Sequence, residues 1–509
     1  MYIAPNSVIK LYHNVPLDET YNHTLFFQTV TQQNTYFHAP TSSILKYALT
    51  AQSYQRVVKG SMRVAVNAEN LYDCNYLAFQ NTAFGSKWFY AFITGVEYVN
   101  NETSEVTFKI DVMQTYLYDV TLKPCLVERE HSSTDVAGDN IQTENIDIGD
   151  ITCEAVTGTN FFDDYIVVVC TASTPNGQAT GGYYGGLFSG CDYKKAPVND
   201  PYEVALLLDY LKAMVDANDQ DSVVSIFLMP AEFYPDDETP TMPAVQVARV
   251  AKPTQIHGYT PRNKKLLTYP FSYLNVDCGN NGATFRYEWF NSYYCDFEMV
   301  CGLSCNPQIA LVPQNYNGVN YEDFNYVEKL VMDGFPQVAW CVDAFRAWLA
   351  QEATGTALQG LASIASIGAG AIGENPMAIA GGTFGLANVI NSVMLAHNRP
   401  NQARGANTGS VDVAMRTKNF YFRKMCVSPM YARIIDEFFD MYGYATMRVK
   451  VPNRSVRPHW NYVKTRGCVL IGNAPADDVK AIAQIYDKGI TFWNNPSEVG
   501  DYSLDNSIQ

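Results

Sequence analysis

The residues able to do chemistry are few and widely spaced. The seven histidines (His13, His23, His38, His131, His257, His397, His459) are dispersed. None belongs to an H-E-x-x-H, which would set two imidazoles on one helix face around zinc. Cys295, Cys301 and Cys305 form the one cysteine cluster. No histidine lies near them in sequence to complete a ligand set, and no metal is expected there. Gly186-Leu-Phe-Ser189-Gly190 places its serine one position too late for a nucleophile elbow. Gly368-Ala-Gly370-Ala-Ile-Gly373 spells G-x-G-x-x-G, but no β-branched strand precedes it and Pro376 interrupts the helix that should come next, so a dinucleotide fold is not expected. The acidic clusters Asp163-Asp164 and Asp236-Asp237-Glu238 could serve acid–base hydrolysis only at a defined spatial separation. In a chain with 51 acids, turn-capping surface carboxylates are the plainer reading. No spacing demands catalysis, and no cofactor is implied.

The elements around these residues are better defined. At 509 residues with 47% hydrophobic content, the chain can form several domains with real cores. The start, MYIAPNSVIKLYHNVPL, lacks a basic segment followed by an apolar run, so no secretory signal is expected. Twelve scattered cysteines suit reduced thiols in a cytoplasmically made protein. Residues 399–472 hold thirteen Lys/Arg against four Asp/Glu, a net of +9; with −16 overall, the remainder carries −25. Bulk nucleic-acid binding is therefore not expected, because neutralising phosphates needs cations. Such acidity serves solubility, and it also suits a conduit along which DNA slides without sticking.

One stretch stands apart. From Ala353 to Ala396 the only formal charge is Glu374, set between two glycine-studded apolar segments, Ala353–Gly373 and Asn375–Ala396. Each segment as a helix would reach about 31–33 Å, close to the roughly 30 Å of a bilayer core. In the first half Leu358, Leu361, Ile364, Ile367 and Ile372 favour insertion by about 1.5–3 kcal/mol together. Thr354, Thr356, Gln359, Ser363, Ser366 and five glycines oppose them, so the balance is near zero. The second half carries Met377, Ile379 and Phe384, then Leu386, Val389, Ile390 and Val393 at amphipathic-helix spacing. Gly373-Glu374-Asn375-Pro376 reads as a tight reversal, and Gly368, Gly370 and Gly381 permit reshaping. A flexible or partly buried Gly/Ala connection, a constitutive anchor and a conditional hairpin are the three readings. The marginal score, and flanks that continue as soluble protein, favour the conditional hairpin over a constitutive anchor.

The first 130 residues read as antiparallel β. The aromatic run Trp88–Val99 is followed by a turn at Asn100–Ser104 and by Val106, Phe108, Ile110 and Val112 in alternation. Residues 150–320 mix short strands such as Tyr165–Cys170 with a helix near Pro201–Ala217, and residues 336–352 read as helical. Strands resume at Ser410–Phe422. A helix follows Ser428-Pro429, with Ile434, Ile435, Phe438 and Phe439 as its apolar face and Gly443 as its stop. A second helix, Ala476–Asp487, buries Val479, Ile482 and Ile485. The uncharged stretch is thus an insertion in a continuing fold.

The strings Asn81–Phe92 (NTAFGSKWFYAF), Phe108–Tyr116 (FKIDVMQTY), Val127–His131 (VEREH), Trp460–Thr465 (WNYVKT), Ile485–Trp493 (IYDKGITFW) and Gly500–Ser503 (GDYS) resemble, in order and placement, the tail knob (distal tail tube) proteins of phi-29-like short-tailed bacteriophages. The similarity covers residues 1–131 and 408–509 and is weak over 150–320. It implies a mainly β (α+β) tail-tube subunit in a homohexameric β-walled tube, with a few peripheral helices. It also implies a long hydrophobic loop that plugs the lumen and then forms a DNA-ejection pore in the host membrane; by position this is residues 353–396. The chain then divides into four regions: 1–150 and 408–509 as tube, 151–335 as a middle β region, and 336–407 as a helix plus the membrane-active loop. The resemblance further implies that Lys87, Trp88, Phe89, Tyr90, Asp111, Gln114, Asn461, Tyr462, Gly489 and Trp493 are structural. Expected partners are five further copies, the upper tail or lower collar, appendages, a separate wall-degrading tip protein, the host cytoplasmic membrane, and genomic DNA passing without sequence-specific contact. The expected location is the virion tail tip, after assembly in the host cytoplasm. The alternative is a glycan-binding or wall-degrading tail enzyme, motivated by the aromatics and carboxylates.

Overall fold

The computed structural model describes residues 6–52, 60–82, 85–158, 165–179, 181–184, 187–235, 244–277, 282–317, 330–334, 337–338, 340–341, 403–404 and 420–508. The chain divides into two compact units. The first comprises Met1–Gly149, Gly258–Leu266 and Ser428–Gln509, and the second Asp150–His257 and Leu267–Val427. The architecture is mainly β with few helices.

The first unit is built on an antiparallel six-stranded sheet. Its order is Leu45–Gln52, Ser7–His13, Cys74–Gln80, Phe89–Asn100, Thr103–Ile110, Ser61–Val64. The expected hairpin is present: Asn100 pairs with Thr103, and the Asn100 carboxamide oxygen accepts from Glu102 N at 2.9 Å. Val106 and Phe108 face a core with Ile9, Leu11, Met62, Val64 and Leu77. Tyr12, Tyr76, Tyr90 and Phe92 join a second core that holds Trp460, Phe492 and Trp493. Both faces of the sheet's centre are therefore buried, where the alternation of Val106, Phe108 and Ile110 predicts a hairpin with one buried face, and Val112 leaves the strand for a helical turn.

A five-stranded sheet completes the unit in the order His23–Leu25, Ile490–Trp493, Trp460–Arg466, Cys125–Glu130, Tyr444–Lys450. His23–Leu25 and Ile490–Trp493 are parallel, so the two ends of the chain share one sheet. The helix expected from Ser428-Pro429 spans Pro429–Tyr442, and Gly443 stops it with φ 66°. A Cβ on Gly443 would lie 2.2 Å from Glu130 O, so only glycine fits. Its buried face is Ala432, Ile435, Asp436, Phe439 and Asp440, not the expected set, for Ile434 is half exposed. The difference arises because two carboxylates of this helix turn inward to bind segment 258–266. The helix Ala476–Lys488 buries Ile482, Ile485 and Tyr486, with Val479 only partly covered.

The second unit carries three four-stranded antiparallel sheets. One orders Ile151–Gly158, Tyr421–Val427, Ser272–Asp277, Gly282–Phe285; another Asp192–Pro197, Tyr165–Thr171, Val223–Pro230, Gln337–Val338; the third Ala244–Ala251, Tyr294–Cys301, Gln308–Pro313, Leu330–Gly334. Val168, Phe227, Leu274, Phe285, Phe297 and Phe422 bring all three into one core. The helix Pro201–Asp216 is capped by Asp200, which accepts from Tyr202 N at 2.9 Å, and lays Val204, Leu207 and Leu211 on Val169, Ile226 and Leu228. The helix expected from residue 336 is not formed at its start. Gln337–Val338 pairs with Ile226 and Phe227, and Trp340–Cys341 is also a strand, because a free sheet edge outcompetes the local helical pattern.

Candidate functional site

Two places matter for function: the junction where the family strings meet, and the stem from which the uncharged stretch departs. At the junction, Asp111 caps a single helical turn, Val112–Thr115. Its Oδ1 accepts from Met113 N (3.0 Å) and Gln114 N (3.1 Å), and its Oδ2 from the Tyr76 hydroxyl (2.8 Å). Burial pushes this carboxyl up to about 6, and the three hydrogen bonds offset that only in part. The turn aims Gln114 between sheets. Its Nε2 donates to Leu25 O (2.8 Å) and Thr24 Oγ1 (3.0 Å), and its Oε1 accepts from Gln33 Nε2 (3.0 Å). A buried amide so satisfied ties the six-stranded sheet to the strand His23–Leu25 and the helix Val30–His38.

Trp88 and Tyr90 enclose a histidine. His38 stacks on Trp88 with centroids 4.0 Å apart, and its ring nitrogens meet the Tyr12 hydroxyl (2.9 Å) and the Tyr90 hydroxyl (3.1 Å). Burial, with help from Lys10, holds its pKa down to about 3, so the ring stays neutral. Lys87 pairs with Asp119 at 2.6 Å above the Tyr116 ring, whereas Phe89 stacks on Phe79.

The C-terminal strings arrive from the other side. Asn461 is fully buried, and its Oδ1 accepts from Val456 N and Arg457 N, both at 2.8 Å. Tyr462 N donates to His131 Nδ1 (2.8 Å); this leaves Nε2 as the protonated nitrogen, donating to Asp440 O (2.9 Å). His131 is buried, and that burial lowers its pKa to about 3. Trp493 packs on Trp460 and Tyr502. Gly489 closes the helix Ala476–Lys488 against Tyr462. Most of these ten residues thus pack in or beside the core of one unit, with Lys87 and Phe89 at its margin.

A second polar knot escaped the sequence reading. Asp436 accepts from the Tyr259 hydroxyl (2.6 Å), Arg262 N (2.8 Å), Asn263 N (2.9 Å) and Asn263 Nδ2 (2.8 Å). Asp440, one turn on, pairs with Arg262 at 3.1 Å, and burial pushes it up to about 6. Glu144, Arg129 and Lys265 add a buried ionic triad. Segment 258–266 buries Pro261 and Leu266, but its polar side is held by charge and hydrogen bonds that no local periodicity could have signalled.

Among the described residues the chemically capable side chains do not converge. Cys295 and Cys301 are buried on the strand Tyr294–Cys301, where burial pushes both thiols up to about 12, while Cys305 is exposed. Among the described residues no three ligating side chains meet. Ser189 lies in the short hairpin Gly182–Tyr184/Leu187–Ser189, bonded to Tyr193 and not to a histidine. Asp163-Asp164 and Asp236-Asp237-Glu238 lie outside the described residues.

The stem is the second place. Trp340–Cys341 and Ala403–Arg404 form an antiparallel ladder, Trp340 opposite Arg404 and Cys341 opposite Ala403. The chain thus leaves and returns at one point. It arrives along the edge strand Gln337–Val338, and its continuation reaches buried Phe420 and the sheet strand Tyr421–Val427. Leu358, Leu361, Ile364, Ile367, Gly368, Gly370, Ile372, Gly373, Glu374, Pro376, Met377, Ile379, Gly381, Phe384, Leu386, Val389, Ile390 and Val393 lie outside the described residues. Among the described residues no helix is long and apolar enough to cross a membrane.

With this geometry in view, the comparisons define first a class, the structural proteins of phage tails. Residues 5–121 match the N-terminal part of caudoviral major tail proteins. The structure of the bacteriophage C1 tail knob protein gp12 shares the fold at a TM-score of 0.57 and 15% identity, covering 98% of this chain and 99% of that one. Residues 243–507, just over half the chain, match the C-terminal domain of the Bacillus phage phi29 tail knob protein gp9. The chain is 24% identical to the gp9 tail knob protein of Bacillus phage B103 and 22% to that of Bacillus phage PZA, with 98% of each chain covered. It belongs to the phi29 gp9 tail knob family.

Proposed function

We propose that this chain is the subunit of a hexameric tail-tip tube that conducts genomic DNA, and that its uncharged loops plug the lumen and then pierce the host membrane. The observation that carries the reading is the pairing of Trp340–Cys341 with Ala403–Arg404, which bracket in sequence a stretch whose one charge between Ala353 and Ala396 is Glu374. A stem of this kind lets a hairpin swing outward without unravelling the sheets that carry it. The role is structural, since the family strings build a core. The acidity outside residues 399–472 keeps DNA from adhering to the conduit.

Insertion energetics favour a collective event. One hairpin is near neutral towards a bilayer. Six side by side add helix–helix packing through small residues such as Gly381 and Gly385, which lets a ring insert where a single copy does not. Ile364→Lys with Val389→Lys places two charges at the apolar centre, at about 2.5–3.5 kcal/mol each. The purified double variant is expected to lose dye release from liposomes while keeping its oligomeric state. Undiminished release would overturn the pore role.

A further inference from the structure

The hairpin of the six-stranded sheet runs past its own support. Cys74–Gln80 pairs with Phe89–Asn100 only from Phe89 to Phe92, whereas Thr103–Ile110 follows it on to Asn100. From Gly95 to Asn100 this strand therefore has a neighbour on one side alone among the described residues. Its tip is exposed and apolar where a free tip would be polar: Tyr98 is 59% accessible and Val99 39%. It also holds an unrelieved charge. Glu97 stands directly opposite Glu105, a destabilising like-charge pair. Arg63 answers Glu105 at 3.5 Å, and among the described residues Glu97 and Glu102 have no ion-pair partner.

The five-stranded sheet presents the complement. Tyr444–Lys450 is its edge, paired on one side with Cys125–Glu130. Past the bulge at Thr446 and Met447 it runs as regular strand from Arg448 to Lys450. Met447 is 58% exposed and Val449 73%. An exposed edge strand bearing large apolar side chains invites pairing unless something covers it. Arg448 is exposed and has no carboxylate partner among the described residues.

We infer that the free edge Gly95–Asn100 of one copy seats on the edge strand Tyr444–Lys450 of a second copy, with Arg448 relieving the Glu97–Glu105 repulsion and Tyr98 and Val99 covering Met447 and Val449. Charge complementarity selects the occupant: an acidic apolar tip and a cationic apolar edge on the same chain are matched. The two surfaces differ, so the contact is head-to-tail and repeats around a ring. This inference rests on the proposed ring and names the surfaces that close it.

The test uses the full-length chain with the photo-crosslinker p-benzoylphenylalanine in place of Tyr98, read by native mass spectrometry and peptide mapping. The expected result is a ring whose crosslinks join position 98 to residues 444–451 of another copy. Arg448→Glu should weaken assembly by at least about tenfold, and Glu97→Arg added to it should restore the ring. Rings with crosslinks elsewhere, or rings indifferent to Arg448→Glu, overturn this interface and leave the hexamer standing. A chain that stays monomeric at all concentrations overturns both readings.

Discussion

The hydroxyl of Tyr462 occupies the space that a side chain on Gly489 would need: a Cβ there would lie 2.1 Å away. Gly489 also has φ 101°, a conformation that other residues rarely adopt. Two family strings far apart in sequence thus meet at a glycine that packing and backbone both require. Gly489→Ala is expected to destabilise the fold by about 2–4 kcal/mol, measured by urea denaturation. Tyr462→Phe in the same chain should recover part of that loss, because the oxygen is the nearest obstacle. Equal losses with and without the rescue would place the cost in the backbone alone.

Gln114 joins elements that local sequence does not connect. Its amide serves Thr24, Leu25 and Gln33, each at least 80 residues away. Gln114→Leu preserves volume but strands these groups in a buried site, for a loss of about 2–3 kcal/mol. Gln114→Glu should be at least as damaging, since a carboxylate cannot donate to Leu25 O. The midpoint of chemical denaturation reads both.

Asp111 makes stability depend on pH. Its folded pKa is raised to about 6, against about 3.9 for an unfolded aspartate. The folded state therefore holds the proton more tightly between those values. Its stabilisation is complete below about pH 4 and is lost as pH rises through about 6. Asp440, also raised to about 6, acts in the same direction. Asp111→Asn keeps the oxygen that caps Val112–Thr115 and removes the buried charge. It should gain about 1–2 kcal/mol at pH 7 and little at pH 4. A pH-independent effect would mean the carboxyl titrates normally.

The contrast between what was and was not legible in the chain is physical. The hairpin at Asn100–Thr103 and the helices Pro201–Asp216, Pro429–Tyr442 and Ala476–Lys488 follow from periodicity and from capping residues close in sequence. The tie of His23–Leu25 to Ile490–Trp493, the His38 enclosure and the binding of segment 258–266 depend on partners hundreds of residues apart or on polar burial, for which no pattern exists. Gln337–Val338 reads as helix from its neighbours and becomes strand because Ile226 and Phe227 present a free edge. The family-string residues could be found as a set by resemblance, but not their common role, since Asp111, Asn461 and Gly489 act through backbone groups.

Asp436 offers the sharpest test of how segment 258–266 is held. Four donors converge on one carboxylate: the Tyr259 hydroxyl, two backbone N–H groups and the Asn263 amide. Asp436→Ala strips the carboxylate partner from all four and leaves the Asn263 amide only its bond to the backbone carbonyl of residue 436. Arg262 keeps its ion pair with Asp440, and Lys265 its bond with Glu144, so the segment should loosen locally while the sheets persist. Amide hydrogen exchange at Arg262 and Asn263 should accelerate by two or more orders of magnitude, corresponding to about 3 kcal/mol. Asp436→Asn decides whether charge or geometry matters. Its Oδ1 can still accept from Asn263, but its Nδ2 would point a donor at Arg262 N, where an acceptor is needed. If geometry governs, protection at Arg262 falls nearly as far as in the alanine variant, while protection at Asn263 largely survives.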